Sequence, residues 1–414
     1  MMRTSLLAAT AAFALLTGTA AAQDNLQKLQ EFRTTGTSLN IETVPQEGTR
    51  AEALQRNLQR IKLPQGFKID LYAVVPDARH MAVGPSTGVV FVGTRKTRVY
   101  AVTDRDKDRR ADEVKVFAPP VGMKVPNGLC FSRDGFLYVA EHNRVLNFPA
   151  AEFFYEGPDV AVAVVTDQLV PREEESFNHG ARVCRVGPDG KLYISLGQPF
   201  NVPPKSKREL YKKWGIGGII RMDTDGKNRE VFADGVRNSV GIDFNPKNQQ
   251  LWFTDNQVDG MGDNQPPGEL NRATSQGQNF GFPWYGGGKI RTIEYKDEQP
   301  PADAVFPEVE MDAHAADLGL TFYTGSMFPE QYRGGIFVAQ HGSWNRTTPI
   351  GARVMFTKLK EDGSADRTEV FASGWLTDNG EYLGRPVDVA QLPDGSILVS
   401  DDFAGAIYRI SYQR

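Results

Sequence analysis

Short runs of alternating hydrophobic and polar residues recur along the chain, each directly after a tight turn. Runs rich in β-branched and aromatic residues are typical of strands, and the Pro, Asp, Asn and Gly residues before them are typical of turns. Six copies of this turn and strand begin at Gly84, Ser132, Gly187, Asn245, Tyr332 and Leu392. Their spacing of about 50–60 residues, with one longer interval, is typical of propeller blades. The pattern predicts an all-β protein, a six-bladed β-propeller of four-stranded antiparallel blades.

The segment before the first copy supplies a further strand. Residues 67–75 alternate like a strand but precede the first innermost strand, so we expect them to pair with residues 406–412. That pairing would join the first blade to the last and remove an open sheet edge. Residues 51–62 carry leucine and isoleucine at helical spacing and predict a short helix. The predicted domains are an arm with this helix over 23–62 and a propeller catalytic domain over 63–414.

Residues 1–22 have the three parts of a secretory signal peptide. Arg3 supplies a positive charge, residues 6–16 supply an apolar run, and three alanines ending at Ala22 supply a cleavage site. The run is too short for a good membrane anchor, and no later segment approaches a spanning length. We therefore expect cleavage after Ala22 and a periplasmic or secreted protein with no membrane span.

Charge and motif content argue against several classes of function. The chain has 414 residues, with 47 basic and 51 acidic side chains and a net charge of −4. This balance suggests no nucleic-acid surface, so we predict no nucleic acid among the partners. The chain has no Gly-rich strand-to-helix fingerprint, Walker loop or Gly-x-Ser-x-Gly elbow. Dinucleotide chemistry and elbow-hydrolase chemistry are therefore unsupported.

The two cysteines, Cys130 and Cys184, both lie on predicted innermost strands, just before the turn. An exported compartment would permit a disulfide between them. When the copies are aligned by their turns, however, the two positions are offset by one residue, so the side chains should face opposite ways. We therefore favour two buried free thiols over a disulfide.

The loops of the predicted blades divide between two faces of the ring. If the Pro-Asp-Gly-type turns lie on one face, the loops that enter first strands and leave second strands share the opposite face. We call this opposite face the mouth. All five histidines fall in its loops, namely His80, His142, His179, His314 and His341. Loops on a rigid scaffold often carry function, so we predict the functional site at the mouth.

His179 is the strongest single candidate for chemistry. It enters an innermost strand at the mouth, in the sequence Phe-Asn-His-Gly-Ala-Arg. A neutral imidazole there could take a proton from a substrate hydroxyl near neutral pH. The structural alternative is a histidine that is hydrogen-bonded to a backbone carbonyl.

Three arginines, Arg237, Arg346 and Arg385, enter or leave strands of three blades at the mouth. An unpaired guanidinium facing a closed channel is costly, so each needs a carboxylate or an anionic ligand. Three of them together suggest a ligand with several carboxylates or phosphates. The alternative is pairing within the protein, for which the candidates are Asp255, Asp317, Asp401 and Asp402.

Residues 254–259 form an oxygen-rich segment that follows a second strand. Carboxylate, amide and backbone oxygens of this kind are the ligands that Ca²⁺ prefers. The segment lacks the regular spacing of an EF-hand, so by itself it is a weak indication of a metal site.

Six motifs, in order along the six repeats, make the chain similar to a known family. They are Leu63-Pro-Gln-Gly-Phe67, His179 eight residues before Gly187-Pro-Asp-Gly190, Arg237-Asn-Ser-Val-Gly241, Leu318-Gly-Leu-Thr-Phe-Tyr323, His341-Gly-Ser-Trp-Asn-Arg346 and Gly384-Arg-Pro-Val-Asp388. With them the chain resembles the pyrroloquinoline-quinone (PQQ)-dependent sugar dehydrogenases, a group that includes soluble glucose dehydrogenase, aldose sugar dehydrogenases and the L-sorbosone-dehydrogenase-like branch. The similarity covers residues 63–412, almost the whole mature domain.

This resemblance implies PQQ and Ca²⁺ as cofactors, a small-molecule sugar substrate and a separate electron acceptor, a quinone or a cytochrome. It implies His179 as the general base and Arg237 as a catalytic residue near the reactive quinone carbonyl. The residues implied in cofactor binding are Asn127, Gln198, Asn238, His341, Arg346 and Arg385. The metal would be bound at Asp255, Gln257 and Val258, partly through backbone oxygens. Arg346 stands in for a family lysine by topology, and Val387 replaces a second family arginine.

Two other functions remain open from the residues. One is a metal-dependent lactonase, for which Glu141, Asn238 and Asp255 could supply ligands at the axis. Three arginines beside a bare cation would be electrostatically poor for that chemistry. The other is a non-catalytic binding propeller that has lost the cofactor, since one fold hosts many functions.

Overall fold

Six β-sheets form the framework of the protein in a computed structural model that describes residues 41–413. The predicted signal peptide and residues 23–40 of the predicted arm lie outside the described residues. The strands are β1 (Phe67–Val74), β2 (Met81–Val83), β3 (Val90–Val92), β4 (Val99–Thr103), β5 (Glu113–Phe117), β6 (Gly128–Phe131), β7 (Leu137–Ala140), β8 (Val145–Phe148), β9 (Ala163–Thr166), β10 (Val183–Val186), β11 (Leu192–Leu196), β12 (Gly218–Met222), β13 (Glu230–Asp234), β14 (Ile242–Phe244), β15 (Leu251–Asp255), β16 (Gly268–Ala273), β17 (Gln278–Asn279), β18 (Val309–Met311), β19 (Asp317–Phe322), β20 (Ile336–Gln340), β21 (Arg353–Leu359), β22 (Ala365–Ala372), β23 (Pro386–Gln391), β24 (Ile397–Asp401) and β25 (Ala406–Tyr412).

The sheets are the blades of a six-bladed propeller, which confirms the predicted fold. Blades 1 to 6 contain, from the innermost strand outwards, β2-β3-β4-β5, β6-β7-β8-β9, β10-β11-β12-β13-β17, β14-β15-β16-β18, β19-β20-β21-β22 and β23-β24-β25-β1. The four-stranded core of every blade is antiparallel. Blade 3 adds one strand to the predicted pattern, because β17, from the long insertion in blade 4, pairs in parallel with β13.

The ring closes through β1, as the sequence predicts. This strand pairs antiparallel with β25, from Phe67 opposite Tyr412 to Val74 opposite Ala406. The first strand in the sequence thus becomes the outermost strand of the last blade. The pairing ties the two ends of the described chain together and covers the outer edge of β25.

The hydrophobic core lies between the blades. Among residues 41–413, four clusters of buried side chains are each shared by two neighbouring blades. A fifth joins blades 3 and 4 and extends to Leu318 of blade 5 and Val387 of blade 6. Between blades 1 and 2, for example, Phe91 contacts Phe131 edge to face, with 5.8 Å between ring centroids. The turns that precede second strands place glycine at positive φ, as at Gly190 (78°) and Gly395 (85°), where other residues would be strained.

In the part of the chain that the structure describes, three short helices lie outside the blades: α1 (Thr49–Leu58), α2 (Ala151–Phe154) and α3 (Arg208–Trp214). Helix α1 is the predicted arm helix, but it ends four residues early. Lys62 pairs with Ser373 as an isolated bridge, which requires extended backbone there. Single turns of 3-10 helix occur at Pro119–Val121, Arg172–Glu174, Lys205–Lys207 and Glu330–Tyr332. Among residues 41–413, no helix is both long and apolar enough to cross a bilayer.

Cys130 and Cys184 form a disulfide, so the prediction of two free thiols is wrong. They lie on β6 and β10, the innermost strands of blades 2 and 3, with 5.7 Å between their Cα atoms. Neighbouring blades pack face against face. To meet between the two blades, one side chain must lie on the face of blade 2 that is turned towards blade 3, and the other on the face of blade 3 that is turned towards blade 2. These are opposite faces when the two blades are superposed. The one-residue offset, interpreted from the sequence as an obstacle, is what brings the two sulfurs together.

We expect the double variant Cys130→Ser/Cys184→Ser to unfold about 2–4 kcal/mol more readily than the wild type. The bond closes a loop with a sequence separation of 54, which restricts the unfolded chain. Chemical denaturation with and without reductant measures the effect. Reductant should lower the wild-type midpoint and leave that of the double variant unchanged. Alkylation of two thiols in the denatured, unreduced wild type, counted by mass spectrometry, would contradict the assignment.

Candidate functional site

A cavity of about 240 Å³ opens at the mouth, where the loops that enter first strands meet those that leave second strands. Five of the eleven residues predicted for the site line it: His179, Arg237, Asn238, Gln257 and His341. The other six lie in the loops and strands around the cavity: Asn127, Gln198, Asp255, Val258, Arg346 and Arg385. The fold therefore brings together residues from blades 3, 4 and 5 that are far apart in the sequence.

His179 lies in the loop that enters β10, the innermost strand of blade 3, and is half-buried. Its Nδ1 donates to the backbone carbonyl of Gln198 (2.5 Å), which leaves Nε2 as the unprotonated nitrogen of the neutral ring. Burial and the nearby charge of Arg237 lower the pKa of His179 to about 4. The hydrogen bond to a backbone carbonyl, which a purely structural histidine would also make, is thus present. The same bond orients the imidazole as a proton acceptor.

Arg237 is 2% exposed, and protein groups already bind its guanidinium. Nη2 contacts Asp259 (3.0 Å) and the Asn201 side chain (2.8 Å), while Nε and Nη1 donate to the carbonyls of Asn201 and Asn256. Burial lowers the pKa of Arg237, and the charges of Asp259 and Asp255 oppose the shift. For Arg237, the alternative of pairing within the protein therefore holds. Its partner is Asp259, which was not among the predicted candidates.

The other two predicted arginines are also bonded within the protein. Arg346 donates to the carbonyls of Asp263 and Ala313. Arg385 donates to the carbonyls of Gly342 (3.1 Å) and Ser343 (3.2 Å), and its guanidinium lies 3.9 Å from the ring centroid of Tyr382. Their proposed role in cofactor binding stays a prediction. Within residues 41–413 neither guanidinium contacts a carboxylate, so the argument from unpaired charge still applies to these two arginines, although not to Arg237.

Asn127 and Gln198 lie beneath the surface of the mouth cavity. Asn127 is fully buried, accepts a hydrogen bond from Arg79 Nε (2.6 Å) and donates to the Arg182 carbonyl (2.8 Å). Gln198 is 1% exposed, supplies the carbonyl that holds His179, and accepts from the Phe200 amide through its side chain. Both residues position the loops that carry the cavity wall.

The predicted metal segment has buried oxygens without partners. The carboxylate of Asp255 accepts from the backbone amides of Arg237 (2.9 Å) and Asn238 (2.7 Å). Gln257 donates its amide to Asp255 (3.0 Å) and Glu269 (2.8 Å), which fixes its Oε1 as the free end. Within residues 41–413, that Oε1 and the carbonyls of Gln257 and Val258 accept no hydrogen bond. Burial raises the pKa of both Asp255 and Glu269.

His341 belongs to a three-residue network at the cavity wall. Its Nε2 lies 2.7 Å from Asp402 Oδ1, and Asp402 Oδ2 lies 2.6 Å from Arg79 Nη1. Burial alone would raise the pKa of Asp402, but the hydrogen bond to His341 and the charge of Arg79 hold it well below the usual range. Burial lowers the pKa of His341, and Asp402 opposes that shift.

Three further residues contribute to the site. The sequence offered Asp402 only as a possible partner of the three arginines and Asp259 only as part of the oxygen-rich segment 254–259, and it gave Arg95 no role. Arg95 lines the cavity from the loop between β3 and β4, and within residues 41–413 its guanidinium has no carboxylate partner. The charge of Arg79, followed by burial, lowers the pKa of Arg95. Arg95 leaves the second strand of blade 1, as Gln198 and His341 leave those of blades 3 and 5. The rule that loops leaving second strands lie at the mouth, applied to blade 1, would have identified Arg95 from the sequence.

Not all the histidines reach the mouth. His314 lines the cavity with His179 and His341, but His80 lines a separate cavity of about 350 Å³ among the innermost strands, and His142 is buried against Phe177. The lactonase alternative loses Glu141, one of its three candidate metal ligands. Glu141 binds Arg144 and the Lys124 amide and does not line the mouth cavity.

Fold and site together define a class, the six-bladed propellers with a polar cavity at one end of the axis. The family described as Glucose / Sorbosone dehydrogenase matches residues 159–409, and the chain belongs to this family. An uncharacterized protein of Borreliella burgdorferi is 32% identical over 362 residues, covering 86% of this chain and 91% of that protein.

One further relative and one solved structure are similar to this chain, the latter in fold. The pyrroloquinoline quinone-dependent sugar dehydrogenase of Hypocrea jecorina is 22% identical and covers 83% of this chain and 87% of its own. The calcium structure of Trichoderma reesei Carbohydrate-Active Enzymes Family AA12 superposes with a TM-score of 0.71 at 19% identity, covering 86% of this chain and 97% of that one. The chain thus resembles PQQ-dependent sugar dehydrogenases, as its motifs indicate.

We expect Asp259→Asn to lower the free energy of unfolding by about 1–2 kcal/mol, because the variant leaves a buried guanidinium without its counter-charge. This expected loss of stability is smaller than that for a fully buried ion pair, because the Asp259 side chain is 33% exposed. Urea denaturation measures it. The matched control is Asp225→Asn, which breaks the exposed pair with Lys227 and should cause no measurable change. Equal midpoints for the two variants would show that the Arg237 pair contributes nothing.

Proposed function

We propose that this protein is an exported quinoprotein dehydrogenase that oxidises a sugar or related alcohol at the mouth cavity, with PQQ and Ca²⁺ as cofactors. The observation that carries the proposal is His179, a neutral imidazole with a free Nε2 at a cavity it shares with Arg237. Membership of the Glucose / Sorbosone dehydrogenase family supports the same assignment. The electron acceptor would be a separate quinone or cytochrome.

The residues present fit Ca²⁺. The unpartnered Oε1 of Gln257 and the free carbonyls of Gln257 and Val258 are oxygen ligands of the kind that this ion takes. Oxygens buried without a donor are costly, and a bound cation would remove that cost. Asp255 would act behind these ligands, since its carboxylate is bonded to two backbone amides and to Gln257. The calcium structure of the AA12 enzyme supports this cofactor by analogy.

The residues present also fit an anionic quinone, with Arg95 added to the predicted Arg346 and Arg385. PQQ carries three carboxylates. Arg95 has no protein counter-ion within residues 41–413, so its charge is available at this side of the cavity. Arg95 would bind a carboxylate. Arg237, held rigidly by Asp259 and Asn201, would present a fixed positive charge to the cavity.

When bound, PQQ would supply the acceptor for the hydride of the alcohol carbon, and Ca²⁺ would supply Lewis acidity. His179 would take the hydroxyl proton at Nε2, because its Nδ1 is held by the Gln198 carbonyl. The depressed pKa of His179 keeps the ring neutral before the reaction, and it also prevents the ring from holding that proton for long. Trp344, 78% exposed at the rim, could stack on a sugar ring.

Cofactor binding can be tested without a substrate. We expect cofactor-free protein to bind PQQ in the presence of Ca²⁺, with one equivalent of each bound, as measured by absorbance and metal analysis. A chelator should release the ion and weaken retention of the quinone. Gln257→Ala should reduce Ca²⁺ affinity, because it removes a free oxygen. Absence of stoichiometric binding of both would favour the non-catalytic binding propeller.

We expect His179→Gln to reduce dye-linked sugar oxidation by about 10²–10⁴-fold at saturating quinone, while quinone binding persists. The imidazole acts on the substrate proton, whereas glutamine can keep the contact with Gln198 but cannot take a proton. Turnover across an aldose panel and bound quinone by absorbance are measured on the same samples. Near-normal turnover with the cofactor loaded would remove His179 from the mechanism.

A further inference from the structure

Two histidines at the mouth cavity are held in complementary ways. His179 is held through Nδ1 by a neutral carbonyl, and His341 is held through Nε2 by the carboxylate of Asp402. Within residues 41–413, neither His179 Nε2 nor His341 Nδ1 makes a hydrogen bond, and neither is a fully buried atom. Each imidazole therefore keeps one nitrogen free at the cavity wall.

The reaction proposed above, on which this inference rests, releases two protons. Oxidation of an alcohol, R₂CHOH, gives R₂C=O, two electrons and two protons. One proton leaves the hydroxyl group when the carbon loses its hydride. The other is released when the external acceptor, a quinone or cytochrome, removes the two electrons from the reduced enzyme. A site that completes the cycle needs a route for both protons.

His179 is suited to the first proton only. Burial and Arg237 disfavour its charged form, and Arg182 and Arg95 act in the same direction. Among the described residues, no carboxylate contacts its ring. Its imidazolium would be short-lived, which suits a base that passes the proton on.

His341 is suited to hold a proton. Asp402 lies 2.7 Å from its Nε2, so protonation would convert a hydrogen bond into an ion pair. Asp402 is fixed in turn by Arg79, which is 4% exposed and also donates to Asn127. The His341 side chain is 20% exposed, which leaves it a path to solvent. The other charges that act on it are Arg79 and Arg385, both unfavourable to the imidazolium.

We propose that His341 is the second proton acceptor of the site, taking the proton released on reoxidation and passing it to solvent, with Asp402 as its positioning residue. The sequence suggested only a cofactor contact for His341. In the proposed role the bond between the proton and the reduced enzyme breaks, a bond to His341 Nδ1 forms, and the electron pair goes to the acceptor. His314 cannot act in this way, because its Nε2 contacts the carbonyls of Gly262 and Gln265 and its Nδ1 contacts the Asn345 amide (3.3 Å), so neither ring nitrogen is free.

The first test uses cofactor-free protein, so it does not depend on the proposed function. Histidine ¹⁵N NMR on wild type, His341→Gln for assignment, and Asp402→Asn reports the tautomer and the pKa of His341. We expect the Nε2–H tautomer in the wild type, and a pKa at least about one unit lower in Asp402→Asn, because removing the carboxylate removes what stabilises the imidazolium. Asp402→Glu should restore part of the difference. The Nδ1–H tautomer, or an unchanged pKa in Asp402→Asn, would overturn the proposal.

The second test separates the two half-reactions by stopped flow with PQQ- and Ca²⁺-loaded enzyme. In His341→Gln the glutamine amide can still donate to Asp402, so the pair between Asp402 and Arg79 is preserved. This variant therefore keeps the proposal testable even if Asp402→Asn does not fold. We expect it to slow reoxidation by the dye about 10-fold or more at pH 7 and to slow reduction by sugar less than about 3-fold. Reoxidation by the wild type should also slow as the pH falls through the His341 pKa found by NMR, because a protonated ring cannot accept, and His341→Gln should lose that dependence.

The outcomes are distinguishable. His314→Gln is the matched control, an imidazole at the same cavity without a carboxylate partner, and it should keep the wild-type ratio of the two rates. Equal slowing of both half-reactions in His341→Gln, or slowing of reduction alone, would overturn the second-acceptor role while leaving the proposed function intact. A wild type that no sugar reduces would contradict the proposed function, and the NMR result would still report on the His341–Asp402 pair.

Discussion

The antiparallel pairing of β1 with β25 is the constraint on which the rest of the structure depends. Each blade buries its faces against its two neighbours, so an open ring would expose two blade faces that have no other partner. The strand pairs along its length, from Phe67 opposite Tyr412 to Val74 opposite Ala406. Closure fixes the positions of the innermost strands around the axis, and with them the loops that form the mouth.

The mouth holds its arginines mainly through protein contacts. Arg237, Arg346 and Arg385 all donate to protein oxygens, and Arg79 pairs with Asp402. What remains without a partner among residues 41–413 is Arg95 together with several buried oxygens, those of Asn238, Gln257, Asp317 and Asn345. A rigid set of satisfied charges with a few free groups is what an organised binding site requires, because the protein does not reorganise when the ligand arrives.

The cavity also shows how one fold treats two similar side chains differently. His179 and His341 both lie at the wall, yet a carbonyl faces one ring and a carboxylate faces the other. The difference in counter-charge decides which ring can hold a proton and which can only transfer it. Fold-level similarity to other propellers does not supply such a distinction, since it depends on individual contacts.

The sequence by itself determined the number of blades, the closing strand and the family, because these follow from local signals: turn residues, alternation and short motifs. It also placed His179, Arg237 and His341 at the mouth, because the repeat assigns each loop to a face. The helix end, the disulfide and the partners of the arginines were decided only by the tertiary structure. Arg79 and Asp402 are 323 residues apart in the chain, and His341 and Asp402 are 61 apart. No local pattern encodes such pairs, because ring closure and the packing of blade against blade bring their loops together.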